Sequence, residues 1–243
     1  MTGIGILYVA TGKFIKEAIL SARQVNNHMG DTPIAVITDS NIENKNFDIV
    51  MKCDDPKYGW SDKPNLIKRT PFDKTLYFDT DVYITEEVTE IFDLVDEYNI
   101  ALAHEPARVT AKIESVPDCF PEFNTGVFGF NNNSETQRLL REWNEIYQSR
   151  DETEDQPSLR KAVFESDISF SVLPPEYNCR WQLGGHVSGR VKVFHGRLYE
   201  FKDNICGIES DIGISEAIKK INYASCSRVF INQENDLKHH EYY

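Results

Sequence analysis

The segment Thr75-Leu-Tyr-Phe-Asp-Thr-Asp-Val-Tyr-Ile84 decides the fold of this chain. Two apolar runs, 76–78 and 82–84, meet at Asp79 and Asp81, and their aromatic and β-branched residues are typical of buried parallel strands. Carboxylates inside such a segment are costly to bury unless they are paired, hydrogen-bonded or bound to a cation. Because the two lie two residues apart, an extended chain would point both to one side. A divalent metal ion shared by the two carboxylates is one physical answer to this arrangement.

The N-terminal region predicts a strand, a helix and a second parallel strand. Apolar residues form a strand at 4–9, recur at helical spacing after Thr11, and form a strand again at 33–38. Such a unit has a right-handed crossover, and ligands bind at the carboxyl ends of its strands. The loop of Ala10, Thr11 and Gly12 lies at one such end. It either holds an anion at the helix N-terminus, which Thr11 can cap, or is a plain strand–helix turn.

Two later segments place polar residues at the ends of predicted strands. Residues 122–131, with the sequence EFNTGVFGFN, contain a buried strand from residue 127. Asn124, Thr125 and Gly126 come just before it, and a glycine there often marks the close approach of a ligand or another backbone. A last clear strand at 191–194 delivers His195 at its end. From that position His195 could be the third ligand of a metal ion held by Asp79 and Asp81.

Several of these residues also have simpler interpretations. Asp155, with Gln156 at a helix start, is a favoured N-cap, and Lys63, in a short helix, is most often a solvated lysine. Asn124 is a common turn residue, and a lone histidine such as His195 is more often structural than a metal ligand. Read singly, each residue is weak evidence for a site.

Composition limits the classes of partner. The chain has 243 residues and a formal net charge of −13, which argues against nucleic acid and against adhesion to anionic lipid. No apolar run is long enough for a transmembrane segment, and the N-terminus lacks the basic region of a signal peptide. Five dispersed cysteines without a CxxC pair are typical of a reducing compartment. These features predict a cytoplasmic protein.

Taken in order, the motifs resemble those of the GT-A glycosyltransferases. The order is strand–Thr-Gly–helix, Lys63, YFDTDVYI, FNTGVFGF, DQPSL, LPPEYN and VFHG. Within that fold they are most similar to the glycogenin and galactosyltransferase-like family of retaining enzymes, across residues 4–196. The resemblance implies an α/β fold with one Rossmann-like domain spanning 1–243, whose mostly parallel central sheet is flanked by helices. It implies a nucleotide-binding half at 1–104, a donor-sugar and acceptor half at 105–200, and a C-terminal extension at 201–243.

The resemblance also implies a role for each matching residue. The nucleoside would contact Tyr8, Ala10 and Thr11, and the donor would contact Lys63. Asn124, Thr125 and Gly126 would lie beside the donor sugar, and Asp155 and Gln156 at the reaction centre. Asp79, Asp81 and His195 would hold Mn²⁺ or Mg²⁺. The family's Lys-Pro-Trp after the histidine is missing, and Arg197 or Lys202 is the available substitute for its lysine.

The implied activity is metal-dependent transfer of a sugar from a nucleoside diphosphate donor, expected to be UDP-linked, to a glycan or other hydroxyl acceptor with retention. Two alternatives stay open. An inverting GT-A enzyme would need a general base, for which Asp155 is the first candidate. A non-catalytic protein would bind nucleotide sugars or glycans without turnover. A sugar nucleotidyltransferase is disfavoured, because the loop after the first strand lacks the expected glycine-rich, arginine-containing sequence.

Overall fold

The computed structural model describes residues 2–106, 111–150, 153–180, 185–196, 228–233 and 236–241. Its helices within these residues are α1 (Phe14–Met29), α2 (Asp62–Leu66), α3 (Glu90–Glu97), α4 (Ser134–Ser149) and α5 (Gln156–Phe164), with 3-10 turns at Ile67–Arg69 and Pro175–Tyr177. Its strands are β1 (Thr2–Val9), β2 (Ile34–Thr38), β3 (Ile49–Lys52), β4 (Phe72–Phe78), β5 (Val82–Ile84), β6 (Ile100–His104), β7 (Phe123–Asn131), β8 (Phe170–Leu173), β9 (Cys179–Arg180), β10 (Gly185–Val187), β11 (Val193–His195), β12 (Arg228–Gln233) and β13 (Asp236–Glu241).

A seven-stranded sheet with the order β3-β2-β1-β4-β7-β6-β8 forms the centre of the molecule. Its neighbouring strands are parallel except at β7, which runs antiparallel to both β4 and β6. The chain moves outward from β1 through β2 to β3, and then returns to β4 on the other side of β1. The carboxyl ends of β1 and β4 therefore form a topological switch point, where open α/β sheets bind ligands. The predicted mostly parallel α/β sheet is confirmed.

Helices cover both faces of this sheet, so its strands are apolar on both sides. Successive residues of β1 point to opposite faces. Ile6 and Tyr8 pack in the cluster that contains residues of α1 and α3. Leu7 and Val9 pack in the cluster that contains residues of α2, α4 and α5. The predicted strand–helix–strand unit is confirmed, with β1 and β2 parallel on either side of α1 in sequence. No helix among the described residues has the length and apolar character to span a membrane.

The segment 75–84 is not one extended strand, which corrects the prediction. Asp79 still donates its backbone N–H to the Gly126 carbonyl (2.9 Å), whereas the Asp81 carbonyl accepts from Gly196 (3.0 Å). The chain thus changes its partner strand between the two aspartates, through a turn in which the Val82 N–H donates to the Asp79 carbonyl (3.2 Å). The strand β5 joins a small separate sheet, in the order β5-β11-β9. A turn, rather than strand alternation, brings the two carboxylates together.

Residues 124–126 lie inside β7 and not before it, which is a second correction. Because β7 runs antiparallel to β4, its first residues lie at the carboxyl end of β4, beside Asp79. The N-terminal half of the sequence FNTGVFGF therefore lies at the switch point. Strands from residues 1–104 and from residues 105–200 share the same sheet, and β4 pairs directly with β7. Arg197 and Lys202 lie outside the described residues.

Candidate functional site

A cavity of about 390 Å³ opens at the switch point. Its wall combines residues from the ends of β1 and β4, from α2 and the loop before it, and from the starts of β7 and α5. The lining residues are Val9, Thr11, Phe14, Tyr58, Gly59, Trp60, Asp62, Lys63, Tyr77, Asp79, Thr80, Asp81, Thr125, Asp155, Gln156, Arg180 and His195. Most of the predicted site residues therefore meet in one place, although they are spread over the sequence from Thr11 to His195.

Asp79, Asp81 and His195 form a group suited to a metal ion. One ligand atom from each lies within 4.8 Å of the others. His195 Nε2 is 3.5 Å from Asp81 Oδ1 and 3.9 Å from Asp79 Oδ2. The histidine reaches this position because β11 pairs antiparallel with β5, which places His195 opposite Val82. Carboxylates with one imidazole suit Mn²⁺, whereas Mg²⁺ prefers oxygen ligands alone. The donor set thus fits a divalent ion.

Gly126 makes room for the histidine. A Cβ atom built on Gly126 would lie 2.8 Å from each ring nitrogen of His195, and closer still to the Cε1 between them. Any side chain there would have to displace the ring. Gly126 does not line the cavity; it lies beneath His195. Its role in the site is therefore the close approach that a glycine in a strand permits.

Gly126→Ala tests this packing. We expect the added methyl group to push His195 away from the two aspartates and to weaken Mn²⁺ binding at least about 10-fold, as loss of ligand orientation does. Isothermal titration of the metal-free protein with Mn²⁺ measures the effect. Gly3→Ala is the matched control, because a Cβ there meets no atom within 4 Å. Unchanged Mn²⁺ affinity in Gly126→Ala would show that His195 is not a ligand.

Lys63 connects the group of Asp79, Asp81 and His195 to the predicted reaction centre. Its Nζ lies 2.8 Å from Asp79 Oδ1 and 3.3 Å from Asp155 Oδ2, and donates to Thr125 Oγ1 at 2.8 Å. Burial opposes the ammonium charge, but the carboxylates of Asp155 and Asp79 outweigh it and raise the pKa of Lys63. Lys63 is therefore the centre of a largely buried group of ion pairs and not a solvated lysine.

Asp155 does not act as a side-chain cap of α5. The helix begins at Gln156, and the Asp155 side chain makes no capping hydrogen bond. Its carboxylate instead accepts from Thr125 Oγ1 at 3.0 Å and faces Lys63. Burial raises the pKa of Asp155, and the Lys63 ammonium counteracts part of that effect. The capping interpretation is thus wrong for this residue, and the carboxylate lines the cavity instead.

Gln156 lines the cavity beside Asp155, and Asn124 holds it from behind. The Asn124 amide donates to Gln156 Oε1 at 2.9 Å and to the buried Glu105 carboxylate at 2.8 Å. Asn124 is itself 1% exposed and lies outside the cavity wall. Its side chain therefore holds Gln156 in place and does not itself line the cavity.

Two residues expected to contact the nucleoside lie elsewhere. Tyr8 and Ala10 are fully buried and do not line the cavity. The Tyr8 hydroxyl pairs with Ser21 Oγ on α1 at 2.8 Å, and burial raises the pKa of Tyr8. Both residues belong to the core cluster of the α1 face. Their side chains therefore lie outside the cavity wall, which is lined here by Val9 at the end of β1 and by Thr11 in the loop that follows.

Thr11 forms a hydrogen bond with a residue of α2 and does not cap α1. It donates to Asp62 Oδ2 at 2.7 Å, and no side chain caps the N-terminus of α1 at Lys13. Asp62, which is 2% exposed, also accepts the backbone N–H groups of Lys57 (2.8 Å) and Tyr58 (2.9 Å). Asp62 was not predicted as a site residue. It fixes the loop before α2 at the mouth of the cavity.

That loop carries two exposed aromatic side chains at the cavity mouth. Tyr58 is 58% exposed and Trp60 is 51% exposed, and both line the cavity. Tyr58 has a φ of 57°, which is uncommon for a residue with a side chain. Its ring packs over Gly12, whose φ is 54°. Aromatic residues within a polar segment were the available signal for this part of the site in the sequence.

Arg180 is a further cavity residue that the sequence did not single out. The strand β9 pairs with β11 so that Arg180 lies beside His195. Its Nη1 is 3.8 Å from the buried Glu105 carboxylate, and its side chain is 21% exposed. Lys63 and Arg180 are the cationic side chains of the cavity wall among the described residues, against the carboxylates of Asp62, Asp79, Asp81 and Asp155.

Comparison with known proteins agrees with this architecture. The family model of nucleotide-diphospho-sugar transferases matches residues 37–196. A search of curated protein sequences finds no match. Among solved structures, the galactosyltransferase LgtC in complex with donor and acceptor sugar analogs superposes with a TM-score of 0.54 at 16% identity, over 72% of this chain and 74% of that one. The glycosyltransferase GlyE of Streptococcus pneumoniae TIGR4 superposes with a TM-score of 0.52 at 20% identity, over 75% of this chain and 48% of GlyE. The chain thus spans about half of GlyE, and both likenesses show a shared fold.

Proposed function

Because the chain belongs to the nucleotide-diphospho-sugar transferase family, we propose that it transfers a sugar from a UDP-linked donor to a hydroxyl group of a glycan acceptor, with retention. The observation that carries this proposal is the grouping of Asp79, Asp81 and His195 within 4.8 Å at the switch point of the sheet. A solvated acidic cluster would not need a buried histidine beside it. Most of the residues that match the family's motifs also line one cavity.

The residues of the cavity suit a diphosphate leaving group. Asp79, Asp81 and His195 would hold Mn²⁺, which as a Lewis acid would stabilise the charge that develops on the diphosphate. Four carboxylates line the described wall against two cationic side chains, so a diphosphate needs a further positive charge there. Lys63 lies 2.8 Å from Asp79 and adds a preorganised cation. The N-terminus of α1 adds a smaller positive potential behind Thr11.

Asp155 and Gln156 are the proposed reaction-centre residues. Asp155 is held by Thr125 and Lys63, and Gln156 by Asn124, so both have fixed positions in the cavity wall. In a retaining reaction they would lie against the reacting carbon and stabilise its positive charge or orient the acceptor hydroxyl. In an inverting reaction Asp155 would instead accept the proton of the acceptor hydroxyl. Retention is proposed on the family resemblance.

Incubation with a panel of UDP-sugars and Mn²⁺ tests the proposed function. We expect slow donor hydrolysis in the absence of an acceptor, and a thermal shift for the donors that bind, since a ligand at 100 times its Kd stabilises by about 2.7 kcal/mol. NMR of the released or transferred sugar reports the anomeric configuration. Donor binding without any turnover would favour a non-catalytic binding protein, and an inverted product would rule out retention.

A further inference from the structure

Amide side chains lead from His195 into the protein, on the side away from the cavity. His195 Nδ1 lies 2.8 Å from Asn178 Oδ1. The Asn178 amide nitrogen donates to Asn124 Oδ1 at 2.9 Å. The same Asn124 oxygen accepts the backbone N–H of Gly126 at 3.0 Å. His195, Asn178 and Asn124 are 3%, 4% and 1% exposed, so water does not compete for these bonds.

These hydrogen bonds form a series that runs from His195 through Asn178 and Asn124 to Gly126. The contacts of Asn124 fix which group donates and which accepts in every bond of the series. A backbone N–H can only donate, so Asn124 must present its oxygen to Gly126. A carboxylate can only accept, so Asn124 must present its NH₂ group to Glu105, at 2.8 Å. These two contacts independently fix the orientation of the Asn124 amide. Asn178 must therefore donate to Asn124, and its own oxygen must face His195.

This orientation decides which ring nitrogen of a neutral His195 carries the proton. The Asn178 oxygen needs a donor, so Nδ1 must bear the hydrogen. The carboxylates of Asp79 and Asp81 favour the opposite arrangement, with the hydrogen on Nε2. They lie 3.9 Å and 3.5 Å from Nε2, beyond a good hydrogen bond, whereas Asn178 lies 2.8 Å from Nδ1. The hydrogen bond between Nδ1 and Asn178 is therefore stronger than either contact between Nε2 and the carboxylates.

We propose that Asn178, oriented by Asn124 and the Gly126 N–H, is a positioning residue that holds neutral His195 as its Nδ1–H tautomer. The Nε2 lone pair then points toward Asp79 and Asp81. Metal-ligating histidines commonly donate their other nitrogen to such a partner, which fixes the ring and raises its basicity. The value of this arrangement for metal binding rests on the proposed function, but the tautomer itself is a property of the metal-free protein.

NMR of the metal-free, ¹⁵N-labelled protein tests the tautomer directly. Long-range ¹H–¹⁵N spectra distinguish the two ring nitrogens, and the His195 signals are those that vanish in His195→Gln. The spectra are recorded at a pH where a titration series shows the ring to be neutral. We expect the hydrogen on Nδ1. A hydrogen on Nε2 would overturn the proposal, whatever the protein binds.

Variants of Asn178 separate positioning from simple packing. Asn178→Leu removes the acceptor at similar size, and we expect the hydrogen to move to Nε2 and Mn²⁺ affinity to fall about 10- to 100-fold. Asn178→Asp keeps an acceptor and should keep the Nδ1–H tautomer. Asn131→Leu is the control, because Asn131 lies at the end of β7 away from Asn124. It should change neither the tautomer of His195 nor the Mn²⁺ affinity. An Nδ1–H tautomer with full Mn²⁺ affinity in Asn178→Leu would contradict the proposal.

The outcomes also separate this inference from the proposed function. If Asn178→Leu does not fold, the wild-type spectrum and Asn178→Asp still decide the tautomer. If the wild type shows the Nδ1–H tautomer but does not bind Mn²⁺, the positioning role stands and the metal-dependent function fails. Isothermal titration with Mn²⁺ alone, without any nucleotide sugar, provides that second measurement.

Discussion

Asp81→Asn should lower both Mn²⁺ affinity and donor turnover by more than about 100-fold. Loss of a residue that only orients a metal ligand costs about 10- to 100-fold, and loss of a ligand itself should cost more. Asparagine has the same shape but lacks the negative charge that binds the ion. The backbone carbonyl of Asp81 still accepts from Gly196, so the turn between β4 and β5 should persist. Removing one of two neighbouring carboxylates also relieves their repulsion in the metal-free protein. The melting temperature should therefore be unchanged or raised.

Isothermal titration with Mn²⁺, donor hydrolysis and thermal unfolding measure these effects on one preparation. Asp54→Asn is the matched control, because it removes the same charge from a side chain that is 78% exposed and pairs with the likewise exposed Lys52. It should leave all three quantities unchanged. Full activity in Asp81→Asn would refute the assignment of Asp81 as a metal ligand.

Lys63→Met should have the largest effect on stability. It leaves Asp79 and Asp155 facing each other without the ammonium group that lies 2.8 Å and 3.3 Å from them. Breaking a buried ion pair costs about 3–5 kcal/mol, and the low end applies because the Asp79 side chain is 24% exposed. Donor turnover should fall as well. Urea unfolding measures the loss, with Lys52→Met, at an exposed pair, as the control.

The effect of Lys63→Met should depend on pH, with a defined sign. Burial raises the folded-state pKa of Asp155, so the folded protein binds that proton more tightly and gains stability relative to the unfolded chain as the pH falls. Without Lys63 this pKa rises further. The raised pKa of Lys63 means that its own stabilisation in the wild type is complete below the unfolded value of about 10.4 and is lost only above it. The deficit of the variant should therefore be larger at about pH 8 than at about pH 5.

Removing the charge of Asp155 tests whether its unpaired carboxylate is what destabilises Lys63→Met. Asp155→Asn added to Lys63→Met should recover part of the lost stability and remove most of the pH dependence. A deficit that is the same at both pH values, or that grows as the pH falls, would show that lost packing and not the uncompensated charge destabilises Lys63→Met.

The sequence predicts the fold well because its central strands are apolar on both faces. Runs such as 34–37 and 76–78 have no polar side, which is typical of strands covered by helices on both sides. The same property explains why the sequence does not show that the Tyr8 side chain lies outside the cavity wall. When both faces are apolar, the pattern does not indicate which alternate residues of β1 point toward α1 and which toward α2. The structure places Tyr8 on the α1 face and Val9 in the cavity wall.

The site was only partly predictable, because its contacts join distant positions through short elements. Asp79 and Asp81 stand out as carboxylates in an apolar segment, but the turn between them follows from a change of partner strand. His195 reaches them through a pairing of three-residue strands, β5 with β11. The bonds Thr11–Asp62 and Asn124–Asn178 join residues 51 and 54 positions apart. No periodicity in the sequence indicates such pairs.

We propose that the cavity holds a diphosphate through a divalent ion bound by Asp79, Asp81 and His195. Isothermal titration of the protein with UDP, once with saturating Mn²⁺ and once with a chelator, tests this arrangement. We expect Mn²⁺ to strengthen UDP binding at least about 10-fold, and UDP to strengthen Mn²⁺ binding by the same factor, since the coupling between two ligands is reciprocal. Equal UDP affinity in Mn²⁺ and in chelator would show that no metal ion links these three residues to the diphosphate.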